Sequence, residues 1–118
     1  MGTEMLHMTI SLLTPRGGVW LGRKTAKIGA GLYNGLGGKV EPGENINRAT
    51  VREIKEECGV IVQEHDVQPA AIVWIANEMM SGPPQYCRIY VSRICRWSGT
   101  PRDSREMVGF ELFPQSNL

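Results

Sequence analysis

The 118-residue sequence has little net charge and few cysteines. Its formal net charge of +1 provides no overall field that would attract a nucleic acid or an anionic membrane surface. The three cysteines are odd in number and lack metal-type spacing with His7 or His65, which favours reduced thiols in a cytoplasmic protein. An anionic ligand must therefore be held locally, by a metal ion or by a few basic groups.

Long hydrophobic runs are also missing. No apolar run approaches membrane-spanning length, and no charged-then-apolar leader opens the chain, so we expect no membrane association. The length suits one hydrophobic core, and the hydrophobic and charged fractions are ordinary for a globular protein. We expect one domain over residues 1–118, with no stable nucleic-acid binding.

Apolar and β-branched segments alternate with turn-forming residues along the chain and predict strands. The predicted strands are 5–14, 19–23, 70–76, 88–96 and 108–113, with a further extended segment starting at 60–62 and a turn at 79–84. The glycine-rich run 33–39 (YNGLGGK) predicts close approach of the backbone to a ligand and no regular element. Strands, one well-marked helix and further strands together indicate an α/β layout.

The predicted helix lies within the stretch 38–60 (GKVEPGENINRATVREIKEECGV). Asn45 or Asn47 can cap its start, and Gly59 supplies the left-handed residue after its end. A helical period of 100° per residue puts three residues on one stripe, which we expect to face the core: Val51, Ile54 and Cys58.

The same helix carries three glutamates in positions that are unfavourable for a plain scaffold. Glu56 and Glu57 lie in the last turn, where the helix dipole disfavours an anion by roughly 0.3–1 kcal/mol. Glu53 repels both of them, at a cost of a few tenths of a kcal/mol per pair. All three fall within an arc of about 100° beside the apolar stripe. This arrangement predicts a positive ligand, although a solvated acidic helix face is the alternative.

The stretch 38–60 resembles a complete Nudix box, which here reads Gly38, five residues, Glu44, seven residues and then 52–60 (REIKEECGV). The aliphatic positions of that pattern are filled by Ile54 and Val60. The resemblance implies a Nudix fold, an α/β/α sandwich around a mixed β-sheet. It also implies Mg²⁺-dependent hydrolysis of a nucleoside diphosphate linked to another moiety, with Mn²⁺ able to substitute. Mg²⁺ prefers oxygen ligands, which carboxylates provide.

The resemblance further implies roles for individual residues. The implied metal ligands are a backbone carbonyl and four carboxylates: Gly37, Glu53, Glu56, Glu57 and Glu106. One of these glutamates is expected to double as the general base. Arg52 is expected to orient a box carboxylate without touching the substrate. Glu106 stands in a late loop, where Asp103 is its rival and a surface role the alternative.

Residues around the box, at 21–24 (LGRK) and 33–39, resemble MutT-type enzymes that clear oxidised purine nucleoside triphosphates. Asn34 suits base recognition because its amide offers both a donor and an acceptor, although Asn before Gly is also common in turns. Trp74 would line the base pocket or, as aromatic residues in apolar strands more often do, the core. The nucleotide contacts that the resemblance implies are Thr9, Lys24, Asn34, Gly37, Gly38 and Lys39.

Other functional interpretations stay open from the sequence. A Nudix hydrolase of ADP-ribose, of a dinucleoside polyphosphate or of an RNA 5′ end would keep the chemistry and change the pocket. A catalytically silent nucleotide-binding module is a different class. We also expect the chain to lack the helix that family members carry after the strand equivalent to 108–113, and to form a monomer or a homodimer.

Overall fold

The computed structural model describes residues 5–25, 30–77 and 85–115, so the turn predicted at 79–84 lies outside the described residues. The described chain forms a seven-stranded mixed sheet with an α-helix, α1 (Ile46–Cys58), packed against it. A short 3-10 turn, Glu64–Asp66, precedes β5. The strands are β1 (Met5–Leu13), β2 (Gly18–Lys24), β3 (Tyr33–Asn34), β4 (Leu36–Lys39), β5 (Val67–Asn77), β6 (Gln85–Ile94) and β7 (Met107–Pro114).

Strand β1 organises the sheet. It pairs in parallel with β6 over its whole length, from Met5 opposite Tyr86 to Leu13 opposite Ile94. It also pairs antiparallel with β4 and, at Leu13 opposite Trp20, with β2. Strand β2 pairs antiparallel with β3 and with β7, and β5 pairs antiparallel with β6. The β1–β2 hairpin is therefore splayed, and β4 fills the opening beside β1.

The prediction that 33–39 forms no regular element is wrong, because this run contains β3 and β4. Gly37 shows why a strand tolerates the glycines. A Cβ built on it would lie 1.8 Å from the carbonyl oxygen of Thr9, so only glycine allows β4 this close to β1. Part of the glycine signal therefore reports contact between two backbones.

Helix α1 agrees closely with its prediction. The Asn45 side chain accepts a hydrogen bond from the N–H of Arg48 at 2.8 Å, and Gly59 has a φ of 78°. Ile54 is fully buried, which stabilises the fold by about 2 kcal/mol. Val51 is half-buried against the same core. The core cluster consists of Leu13, Leu36, Ile54, Cys58, Val60, Val62, Val67, Ile94 and Met107.

Strand β5 is much more exposed than its apolar sequence suggests. Trp74 is 57% exposed, so the prediction that it packs into the core is wrong. It lies instead against the guanidinium of Arg88, 3.9 Å from the ring centroid, in a cation–π contact. Strand β5 ends the β3-β2-β1-β6-β5 path of the sheet, and residues 71–76 are exposed on both of its faces.

Within the described residues, no helix combines the length and the apolar character needed to cross a membrane.

Candidate active site

A cavity of about 370 Å³ opens where α1 and β4 meet the end of β2 and the turn before β7. Its wall contains all four predicted acids, together with both predicted lysines and both glycines of β4. The lining residues are Met8, Lys24, Thr25, Gly37, Gly38, Lys39, Glu53, Glu56, Glu57 and Glu106. The fold thus brings together residues that are up to 98 positions apart in the sequence, from Met8 to Glu106.

Arg52 lies at the centre of an ion-pair network beside this cavity. Its guanidinium donates to both oxygens of Glu44, at 2.7 and 2.9 Å, in a bidentate pair. It also donates to Glu53 at 2.8 Å, to Glu56 at 3.3 Å and to the carbonyl oxygen of Lys39 at 3.0 Å. The contact with a box carboxylate that the sequence predicts for Arg52 is therefore present, and it holds the Glu53 side chain in place.

Glu44 has a role that sequence analysis did not assign to it. The hydrogen bond from Arg52 holds the pKa of this carboxyl at about 2, with a further contribution from the N–H of Glu41. Glu41 donates to Glu44 Oε1 at 3.0 Å, and Gly43 makes the intervening turn with a φ of 78°. The fixed position of Glu44 in the box was the one signal in the sequence that pointed to this role. Glu44 anchors the arginine that in turn anchors Glu53.

Glu57 is the most deeply buried of the acids, at 5% exposed. The pKa of this carboxyl is raised to about 8, mainly by burial and also by the charges of Glu53 and Glu106. The opposing influences are the N–H of Gly37, which donates to Glu57 Oε1 at 2.6 Å, and the charge of Lys24. A carboxylate in this environment is stabilised by any cation that reaches it.

Glu53 is 9% exposed and lies against β4. Burial raises its pKa, although Arg52 opposes the shift. A Cβ built on Gly38 would lie 2.6–2.7 Å from the atoms of the Glu53 carboxyl group. The glycine therefore leaves the space that this carboxylate occupies, which is a physical reason for its place in the motif.

Glu106 lies on the turn before β7 and on the wall of the cavity. Its charge raises the pKa of both Glu53 and Glu57, which places it electrostatically within the same cluster. Asp103, its rival from sequence, accepts a hydrogen bond from the N–H of Gly109 at 2.9 Å. Asp103 is outside the set of described residues that line the cavity.

These residues fit a divalent cation. Among the described residues, no three acidic, histidine or cysteine side chains are already arranged as a complete metal cage. Glu53 and Glu56 turn toward Arg52, and Glu57 turns toward the N–H of Gly37. Mg²⁺ is usually held by one or two carboxylates with substrate phosphates and waters, so a complete protein cage is not required. The buried Glu57 and the Glu53 carboxylate, for which Gly38 leaves room, suit such an ion.

The structure does not bring every predicted nucleotide contact to this cavity. Lys24 and Lys39 line it, whereas Thr9 and Asn34 are outside its described lining. Thr9 is 1% exposed, and its hydroxyl has no hydrogen-bond partner within the described residues. The Asn34 amide donates to the carbonyl oxygen of Leu32 at 2.7 Å. Their roles as nucleotide contacts stay predictions.

Two residues that line the cavity, Met8 and Thr25, were not predicted from the sequence as site residues. Met8 neighbours the predicted Thr9 on β1, and Thr25 follows Lys24 at the end of β2. Neither belongs to a spaced motif, so the only available signal was adjacency to a predicted residue.

Comparison with known proteins decides the family. The model of the NUDIX domain matches residues 5–118, which is nearly the whole chain. The chain belongs to the Nudix family. The Nudix resemblance inferred from the box is thereby confirmed, and the box places Glu53, Glu56 and Glu57 on α1.

Two similar relatives are both described as oxidized purine nucleoside triphosphate hydrolases. The one from Mus musculus is 34% identical over 108 residues, covering 91% of this chain and 65% of the relative. The one from Danio rerio is 35% identical over 101 residues, covering 85% and 61% respectively. The Nudix chain described here thus spans less than two thirds of the length of these relatives.

Solved structures show the same fold. The MutT NUDIX hydrolase from Burkholderia pseudomallei superposes with a TM-score of 0.83 at 21% identity, covering 94% of this chain and 84% of that one. The MutT protein from Bacillus halodurans gives a TM-score of 0.78 at 20% identity, with coverages of 95% and 70%. The predicted α/β Nudix fold with a mixed sheet is confirmed. Of its helical layers, the described residues contain the one formed by α1.

Proposed function

We propose that this Nudix domain hydrolyses nucleoside triphosphates to the monophosphate and pyrophosphate with Mg²⁺, which Mn²⁺ can replace. The observation that carries the proposal is the buried Glu57 carboxylate in a cavity shared with three further glutamates and two lysines. Acids that bind a cation and lysines that bind phosphate are the combination that a metal–triphosphate complex requires.

The acids and the lysines on the wall each have a task in this chemistry. Glu53, Glu56 and Glu57, with the Gly37 carbonyl, would hold the cation, which supplies charge neutralisation at the phosphates and activation of the attacking water. Arg52 keeps the Glu53 carboxylate oriented through the bidentate anchor on Glu44. Glu106 would add a fourth carboxylate at the cation and would accept the proton from water, and Lys24 and Lys39 would pair with phosphate oxygens.

We further propose oxidised purine nucleotides such as 8-oxo-dGTP as the preferred substrates. Two relatives of that description share 34% and 35% identity with this chain over most of its length. Asn34 is the proposed base contact, since its amide can both donate to and accept from a purine edge. In the structure the same amide donates to the carbonyl oxygen of Leu32 at 2.7 Å.

The test is pyrophosphate release from 8-oxo-dGTP, dGTP, CTP and ADP-ribose, with Mg²⁺ and with a chelator. We expect turnover that requires the metal, a preference for the oxidised base, and a loss of at least about 100-fold in kcat for Glu57→Gln. Glu64→Gln, an exposed change in the Glu64–Asp66 turn, is the matched control. Activity that survives chelation or Glu57→Gln would refute the mechanism. Equal rates with dGTP would refute the base preference alone, and nucleotide binding without turnover would indicate a silent module.

A further inference from the structure

Thr25, at the end of β2, forms hydrogen bonds with the turn that carries Glu106. The Thr25 hydroxyl donates to the carbonyl oxygen of Arg105 at 2.8 Å and lies 3.3 Å from that of Glu106. The backbone N–H of Thr25 also donates to the Glu106 carbonyl oxygen, at 3.0 Å. Two successive carbonyls of the turn are therefore bound by one residue at the end of β2.

The ends of the same turn are closed by a different residue. The N–H of Ser104 donates to the carbonyl oxygen of Met107 at 2.8 Å, and the Ser104 hydroxyl accepts from the N–H of Met107 at 3.2 Å. Met107 in turn pairs with Lys24 in the β2–β7 ladder. Because Ser104 closes the turn on itself, it does not fix the turn relative to the cavity. Thr25 adds a side-chain connection to β2 next to the ladder pair of Met107 with Lys24.

The position of this turn matters because it determines where the Glu106 side chain lies in the cavity. Its carboxylate and the Thr25 side chain line the same cavity, and its charge is felt by both Glu53 and Glu57. A displacement of about 1 Å in a catalytic constellation can cost around 100-fold in rate. A hydroxyl that contacts the carbonyl oxygens of the two peptides flanking the Glu106 Cα limits such a displacement.

We propose that the Thr25 hydroxyl is a positioning group that holds Glu106 at the cation site. The inference rests on the proposed function, in that it takes Glu106 as a group acting on the metal. Thr25 itself is not a ligand in this scheme. It acts on the ion through the backbone that carries Glu106.

Three variants separate positioning from ordinary stability. Thr25→Val removes the hydroxyl while keeping the shape and the backbone N–H, and Thr25→Ser restores the hydroxyl. Thr14→Val is the matched control, because the Thr14 hydroxyl also donates to a backbone carbonyl, that of Ile94 at 3.2 Å, but outside this cavity.

The primary measurement is Mn²⁺ binding to the full chain without nucleotide, by electron paramagnetic resonance or calorimetry. We expect Thr25→Val to weaken Mn²⁺ binding by about tenfold, as changes to groups that orient metal ligands do. Thr25→Ser should stay within about twofold of wild type by the same reasoning, and Thr14→Val should leave binding unchanged. With substrate, Thr25→Val should lower kcat more than it raises KM.

A double-mutant cycle with Glu106→Gln tests whether Thr25 acts through Glu106. We expect Thr25→Val to have no further effect on Mn²⁺ affinity once Glu106→Gln is present. An equal loss in both backgrounds would overturn the inference, and so would wild-type Mn²⁺ affinity in Thr25→Val or in Glu106→Gln. The proposed function is judged separately, by pyrophosphate release in the wild type and in Glu57→Gln, so the two can fail independently.

Discussion

The N–H of Gly37 on β4 donates a hydrogen bond of 2.6 Å to the buried carboxylate of Glu57 on α1, twenty residues further along the chain. This bond ties the glycine-rich strand to the acid face of the helix. One backbone donor compensates only part of the cost of burying a full negative charge. Burial therefore favours the protonated form of Glu57, and a bound cation would favour the carboxylate instead.

The first prediction concerns stability and pH in the metal-free protein. The pKa of Glu57 is raised to about 8 in the folded chain, so between pH 4.5 and 8 the native state keeps a proton that the unfolded state has lost. The contribution of Glu57 to stability is then fully present below pH 4.5 and is lost as pH rises toward 8, by at most about 1.4 kcal/mol per pH unit. Denaturant unfolding in chelator measures the slope. Glu57→Gln should flatten it, Mg²⁺ should oppose it, and an unchanged slope in Glu57→Gln would contradict the assignment.

The second prediction concerns the arginine clamp. Arg52→Lys keeps the charge but loses the planar fork that binds both oxygens of Glu44 and reaches Glu53. We expect a loss of about 1–3 kcal/mol in unfolding free energy, from bonds between charged groups, and a lower kcat with little change in KM. Urea unfolding and steady-state kinetics measure the two effects. Arg48→Lys, exposed on the same helix, is the control and should match wild type; similar losses in both variants would refute the clamp.

The third prediction concerns the space beside β4. Gly38→Ala would put a Cβ within 2.7 Å of the Glu53 carboxylate and push it away from its position. We expect weaker Mg²⁺ binding and a reduced kcat, both measurable by titration. Gly43→Asn is the control. Among the described residues, apart from the chain neighbours, no atom lies within 4 Å of a Cβ built on Gly43, and asparagine tolerates a φ near 78°. Normal Mg²⁺ affinity in Gly38→Ala would show that Glu53 can bind from another position.

The fourth prediction compares two large side chains of the sheet and helix. Ile54 is fully buried in the core, so Ile54→Ala should cost about 2–5 kcal/mol. Trp74 is 57% exposed and rests on Arg88, so Trp74→Ala should cost only about 1 kcal/mol, from the lost cation–π contact. Chemical denaturation of the two variants gives the values. A cost for Trp74→Ala as large as for Ile54→Ala would mean that β5 is covered in solution.

Local signals account for what could be predicted. Helix α1, its cap at Asn45 and its end at Gly59 depend on residues within one or two turns of each other, so a short stretch of sequence contains them. The strands on either side follow from alternating or continuous apolar runs, and their bounds agree with the structure to within a few residues. The burial of Trp74 was predicted wrongly because exposure depends on which elements cover the faces of a strand, and that is not a local property of the sequence.

The sequence by itself determined the chemistry available to this protein. The spacing within 38–60 requires that a helix carry Glu53, Glu56 and Glu57 on one side, since helical geometry alone projects them there. Only the tertiary structure decided which of them is buried, because the burial of Glu57 depends on β4 lying against α1. It also decided that Thr25 meets Glu106, eighty-one residues away, because β7 returns beside β2. Contacts of that kind are set by strand pairing across the whole sheet, which no local pattern records.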